Sequence, residues 1–258
     1  MAGSGGKLRI RSVYRGAVET VRGQWPLLLV TAVVVFVPVG FLDALDTRIQ
    51  QLDKDAFTDL QAVALVGITV VHAGSALIGE VFYTGVVAAA AIQSRTGASR
   101  SVGQLVRTLR YARLVAVDLL FVLLVVAGLA VLVVPGLVFF TWFALAAPVV
   151  ELEGRGVAGA FRRSRELVRG SFWGVFAILV PLELSTDVLT DATGALATAA
   201  LGDTLLADWL GSALAELLLT PLFAVAVVAV AYELIELEDT AARDETKVRV
   251  PAGREEPA

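Results

Sequence analysis

The strongest constraint on this chain is a series of long apolar runs. Crossing a hydrocarbon layer of roughly 30 Å takes a helix of about 20 residues, and the runs at 25–42, 61–92 and 114–150 meet or approach that length. Apolar residues make up 57% of the 258 and the mean hydropathy is +0.78, against roughly 45–50% apolar in ordinary globular chains. A single soluble domain is excluded. The predicted fold class is an all-α integral membrane protein.

The run at 114–150 is too long for one crossing and holds Pro135-Gly136 near its middle. That pair breaks helices and favours turns, so it predicts two spans joined by a tight hairpin. A fifth span starts near Ser171, and a sixth covers 208–232 with Pro221 inside it. Pro221 is expected to kink that helix without ending it, because neighbouring helices can satisfy the freed carbonyl. The first run follows Lys7, Arg9, Arg11, Arg15 and Arg22, yet it passes into Asp43 and Asp46 without a small-residue cleavage pattern. It therefore reads as a span and not as a signal peptide.

Charge assigns the sides. Segments 1–24, 94–113, 151–172 and the tail from 233 hold 19 of the 21 Lys and Arg residues. The other two, Arg48 and Lys54, lie between spans one and two beside Asp43, Asp46, Asp53, Asp55 and Asp59. The connection at 186–207 contains Asp187, Asp191 and Asp203 and no basic residue. Since Lys and Arg are retained on the cytoplasmic side of short loops, six spans with both termini cytoplasmic are predicted, in the cytoplasmic membrane. The net charge of −4 hides this sidedness, and nucleic-acid binding gains no support from it.

Three basic segments also carry helical amphipathic spacing. In the first, Ile10, Val13, Tyr14, Ala17 and Val21 oppose Arg11, Arg15, Glu19 and Arg22. In the second, Val102, Leu105, Val106 and Leu109 oppose Arg100, Gln104, Arg107 and Arg110. In the third, Val157, Ala160, Phe161, Ser164, Leu167 and Val168 oppose Arg162, Arg165, Glu166 and Arg169. These are predicted to be interfacial helices at the cytoplasmic face. Each precedes a two-span hairpin, which divides a single membrane domain, 1–238, into three similar units at 7–92, 99–150 and 157–232. At an offset of 147, Arg15, Glu19, Val21, Arg22 and Gly23 match Arg162, Glu166, Val168, Arg169 and Gly170, and the string GSAL recurs at 74–77 and 211–214. Residues 239–258 mix charges with Pro251 and Pro257, and disorder is expected there.

The stretch 135–173 carries Pro135, Gly136, Pro148, Glu153, Gly154, Ala160, Arg163, Ser164, Leu167, Gly170 and Trp173. In this order the residues resemble the membrane domain of some bacterial glycerophosphoryl diester phosphodiesterases and of related uncharacterised six-span membrane proteins. The resemblance implies a fold and a location. It implies no activity, because no phosphodiesterase catalytic domain is present in the sequence.

Composition narrows the chemistry. With no Cys, one Met and one His, disulfides, thiolate catalysis and Cys/His zinc sites are excluded, and neither a cofactor nor a metal is expected. No G-x-S-x-G, H-E-x-x-H or phosphate-cradling Gly loop occurs, so no catalytic residue is assigned and the chain reads as non-enzymatic. Ionisable groups inside spans are costly and become functional candidates by default. His72 and Glu80 lie about 80° apart around one helix, a geometry open to a proton relay. Asp118 is expected to pair with Arg113 or Arg110, and Glu183 to face solvent. Glu216 lies deeper, and with Glu80 it is the leading transport candidate. Trp25, Trp142, Trp173 and Trp209 fall near span ends, where indoles anchor in headgroups. Arg162, Arg163, Arg165 and Arg169, with Arg107 and Arg110, form a basic collar suited to anionic lipid headgroups or phosphate-bearing ligands. The expected function is to bind or organise anionic lipid or a membrane partner protein through that collar. The alternative is a small-solute or ion transporter using intramembrane carboxylates.

Overall fold

The computed structural model describes residues 10–50, 59–96, 104, 107 and 109–249. Eight continuous helices are described among them, α1 (Ile10–Gln50), α2 (Asp59–Thr96), α3 (Tyr111–Val131), α4 (Val133–Phe143), α5 (Ala146–Glu153), α6 (Val157–Arg169), α7 (Phe172–Leu201) and α8 (Leu205–Arg249), and Gln104 and Arg107 are also helical. Six helices are long and apolar enough to cross a membrane, with α4 and α5 together forming one of them. Most of the second basic amphipathic segment, including Arg100, Val102, Leu105 and Val106, lies outside the described residues, as do Asp53, Lys54, Asp55 and everything beyond Arg249.

The helix breaks follow from the prolines and glycines. α1 is interrupted at Gln24 (φ −132°, ψ 19°), two residues before Pro26, whose ring collides with the carbonyl four residues back and which has no N–H to donate. The expected turn at Pro135-Gly136 falls instead at Leu132, the one extended residue between α3 and α4 (φ −169°, ψ 151°). Pro135 occupies the first turn of α4, where the missing N–H has no intrahelical partner to lose. Gly136 works by size: a methyl there would stand 2.4 Å from Leu129 Cδ2, and one at Gly128 would stand 2.9 Å from Gly136 Cα. Small residues let the two helix backbones touch, which is how helices associate in lipid. α4 gives way to α5 at Ala144-Leu145, because Pro148 cannot donate to the Ala144 carbonyl. Pro221 lies inside α8, which continues through it.

α8 is the central element and packs chiefly against α1, α7 and α2. One apolar core lies between α8 and the α3–α7 region around Leu114, Leu145, Val149, Val168 and Leu179. A second joins α8 to α1 and α2 around Phe36, Tyr83, Val86 and Val228. At 45 residues, α8 is about 68 Å long at 1.5 Å per residue, more than twice the hydrocarbon thickness. It runs on past Asp239 to Arg249, where the sequence led us to expect an irregular tail.

Charge segregates to the two ends of this bundle. Apart from Arg48, the described arginines lie toward the end where α1 and α3 begin and α2 and α5 finish. At the opposite end Arg48 is ion-paired to Asp208 and to Asp203, near Asp43 and Asp46.

Candidate functional site

At the basic end, the arginines divide into those that brace the bundle and those that face outward. The N-terminus of α3 caps the C-terminus of α5. Arg110 Nη1 donates to the Val150 carbonyl at 2.9 Å, its backbone N–H donates to Glu151 Oε1 at 2.9 Å, and Arg113 Nη1 donates to the Gly154 carbonyl at 3.3 Å. Cations at a helix C-terminus satisfy the last carbonyls and the helix dipole together. Gly154 closes α5 in the left-handed region at φ 72°, and a methyl there would press on the Arg110 guanidinium at 3.2 Å.

Arg163 is a second brace. Its Nε donates to Glu153 on α5 at 2.9 Å, and its Nη2 lies 2.5 Å from Glu238 on α8. The side chain is only 13% exposed. Burial works against its charge, but the hydrogen bonds to Glu238 and Glu153 outweigh that and raise its proton affinity above the ordinary arginine value. Arg95 on α2 pairs with Glu236 on α8 and lies 3.8 Å over the Tyr232 ring. Of the arginines that sequence spacing groups in the collar, Arg163 is largely buried between two carboxylates, whereas Arg110 hydrogen-bonds to α5 and remains exposed.

Arg107, Arg162, Arg165 and Arg169 are exposed. α6 buries Ala160, Phe161, Ser164, Leu167 and Val168 within the bundle, and the Ser164 hydroxyl donates to the Trp142 carbonyl at 2.7 Å. Its apolar half is thus taken up by protein. The opposite half carries Arg162, 74% exposed and 3.9 Å from Glu166, and Arg165, whose guanidinium lies 4.9 Å over the Trp142 ring. Trp173, 76% exposed, follows at the start of α7.

The acidic candidates form a second constellation. Asp118 does not pair with Arg110 or Arg113, which hydrogen-bond to α5 and the loop after it. It shares a cavity of about 40 Å³ with Glu80 and Thr84, and its Oδ2 is buried without a hydrogen-bond partner. Glu80 lies within electrostatic reach of Asp118 on α3, Glu183 on α7 and Glu216 on α8. Glu216 accepts a hydrogen bond from Thr220 at 2.7 Å and in turn feels Asp43 and His72. His72 faces α1, with Nε2 3.4 Å from Asp43 and Nδ1 3.5 Å from Asp46, which also accepts from Thr69 at 2.6 Å. Sequence reasoning placed Asp43 and Asp46 in a loop. Their three-residue spacing, with no Gly or Pro before Gln50, was the available signal that they share a helix face.

Trp209 is half-buried and tied to α1. Its Nε1 donates to the Val37 carbonyl at 3.1 Å, and its ring meets Phe41 edge-on with centroids 6.0 Å apart. Among the described residues no three His, Asp or Glu side chains converge as a metal site.

The family model described as a domain of unknown function, DUF7847, matches residues 75–235, more than half of the chain, and the chain belongs to that family. No curated protein and no solved structure matches it.

Proposed function

We propose that this member of the DUF7847 family is a non-enzymatic, multi-pass protein of the cytoplasmic membrane whose basic end engages anionic lipid headgroups of the inner leaflet. In this reading both termini are cytoplasmic, the spans form three hairpins, and each hairpin follows an amphipathic helix. The supporting observation is the two-sidedness of α6: the apolar half is buried in the bundle while Arg162, Arg165 and Arg169 face out beside exposed Trp173. A helix seated this way has no need to insert in lipid to be stable, so its arginines are free to meet headgroups. Each contributes about 1 kcal/mol near an anionic surface, which for three is enough to enrich anionic lipid around the protein.

The test is mass spectrometry of the lipid retained by the protein in native-membrane nanodiscs, set against an unrelated six-span protein from the same cells. Enrichment of anionic lipid that falls to the reference level in the Arg162→Gln, Arg165→Gln, Arg169→Gln variant is the expected result. An enrichment that the triple variant leaves unchanged removes the assignment to α6.

A further inference from the structure

The cavity between α2, α3 and α8 holds chemistry that lipid binding does not use. Glu80 and Thr84 line it from α2, Val117 and Asp118 from α3, Ala144 from the α4–α5 break, and Phe223 from α8. Its volume of about 40 Å³ admits a water or a small ion, for which about 10–15 Å³ suffices. Two carboxylates on different helices share it, and no Lys, Arg or His is among the residues lining it.

Three further observations bear on what fills it. Asp118 Oδ2 is buried with no hydrogen-bond partner, and a buried polar atom left unmatched in a native fold usually marks a water or an ion. Pro148 has no N–H for the Ala144 carbonyl, so the helix is interrupted where it borders the cavity, and broken helices inside membranes supply carbonyl oxygens to cations. The charges that act on Glu80 from α3, α7 and α8 are also acidic: Asp118, Glu183 and Glu216. Two charged carboxylates facing one apolar cavity, as Glu80 and Asp118 do, carry a large cost. With only two carboxylates in the cavity and no convergence of three ligating side chains among the described residues, a divalent metal is a poor match.

We propose that this cavity is an intramembrane binding site for one monovalent cation, sodium or hydronium, held between Glu80 and Asp118. The cation arrives from the acidic end past Glu216, which lies within reach both of Glu80 and of the His72–Asp43 pair. The site is separate from the arginines of α6 and stands whether or not they bind lipid.

The test compares thermal unfolding of the full chain in nanodiscs in sodium chloride and in choline chloride at equal ionic strength, across a pH series, together with retention of radioactive sodium. If sodium is the occupant, sodium chloride raises the midpoint by several degrees over choline chloride, and Glu80→Gln or Asp118→Asn abolishes both that shift and the retained sodium. If hydronium is the occupant, the two salts give the same midpoint, which rises as the pH is lowered, and Glu80→Gln with Asp118→Asn flattens that response. Gln and Asn keep the shape of the carboxyls they replace and remove the charge, and the wild-type comparison of salts and pH stands without them. A wild-type protein indifferent to both sodium and pH, or one whose responses persist in the double variant, overturns the proposal.

Discussion

Gly40 on α1 and Ala213 on α8 meet backbone to backbone: a methyl group at Gly40 would stand 2.7 Å from Ala213 Cα and 2.8 Å from its nitrogen. No side chain can yield there, so Gly40→Val has to push the two helices apart. Overpacking of this kind costs about 1–3 kcal/mol, and the thermal midpoint in detergent should fall by several degrees. Gly74→Ala is the matched control, since nothing lies within 4 Å of the added methyl, and its midpoint should stay at the wild-type value.

Gly154 is held by conformation and by a neighbour. Its φ of 72° lies in the region that costs an L side chain roughly 1–2 kcal/mol, and the Arg110 guanidinium presses on the same position. Gly154→Ala should lower stability by about 1–2 kcal/mol, and Gly154→Asn by less, because Asn enters the left-handed region more readily. Denaturant unfolding followed by circular dichroism separates the three.

The tryptophans should report their different surroundings. Trp173 is largely exposed, whereas Trp209 is tied to the Val37 carbonyl. In variants retaining a single tryptophan, with the others changed to Phe, an aqueous quencher should reduce Trp173 emission markedly and Trp209 emission weakly. Equal quenching would contradict the placement of Trp209 between α1 and α8.

Much of the helical layout was legible because lipid-length apolar runs and proline positions are local properties. Gln24 and Ser171 show how far this reached: they lie 147 residues apart, the offset at which the arginine patterns match, and both break their helices at nearly the same angles, φ −132° and ψ 19° against φ −133° and ψ 24°. The turn at Leu132 was not legible, since nothing in that residue marks it and the Pro-Gly pair three residues on attracted the assignment. The partners of Asp118 and His72 were hidden for a different reason. Spacing along one helix offered Asp118 the arginines at 110 and 113 and offered His72 the carboxylate of Glu80, while helix packing turned Asp118 toward α2 and His72 toward α1. The arginines of α6 were readable as a stripe, but which of them would meet carboxylates from α5 and α8 depended on contacts across 10 and 75 positions of sequence.

That last division gives the sharpest stability prediction. Arg163 joins Glu153 on α5 to Glu238 on α8 from a position that is 13% exposed, while Arg162, one residue earlier, is 74% exposed and pairs with Glu166 at 3.9 Å. Removing one partner of a buried ion pair costs about 3–5 kcal/mol. Here Arg155 still accompanies Glu153 at 2.6 Å and Glu238 is half in solvent, so Arg163→Met should cost on the order of 2 kcal/mol. Arg163→Lys should recover only part of this, because an ammonium cannot span two carboxylates in the manner of a planar guanidinium. Arg162→Met should change stability by less than about 0.5 kcal/mol, the usual scale of an exposed pair. Unfolding midpoints of the three variants in one detergent decide the matter. A neutral Arg163→Met beside a costly Arg162→Met would mean that α6 is rotated about its axis relative to the bundle, and the arginines assigned to the lipid surface would then be the wrong ones.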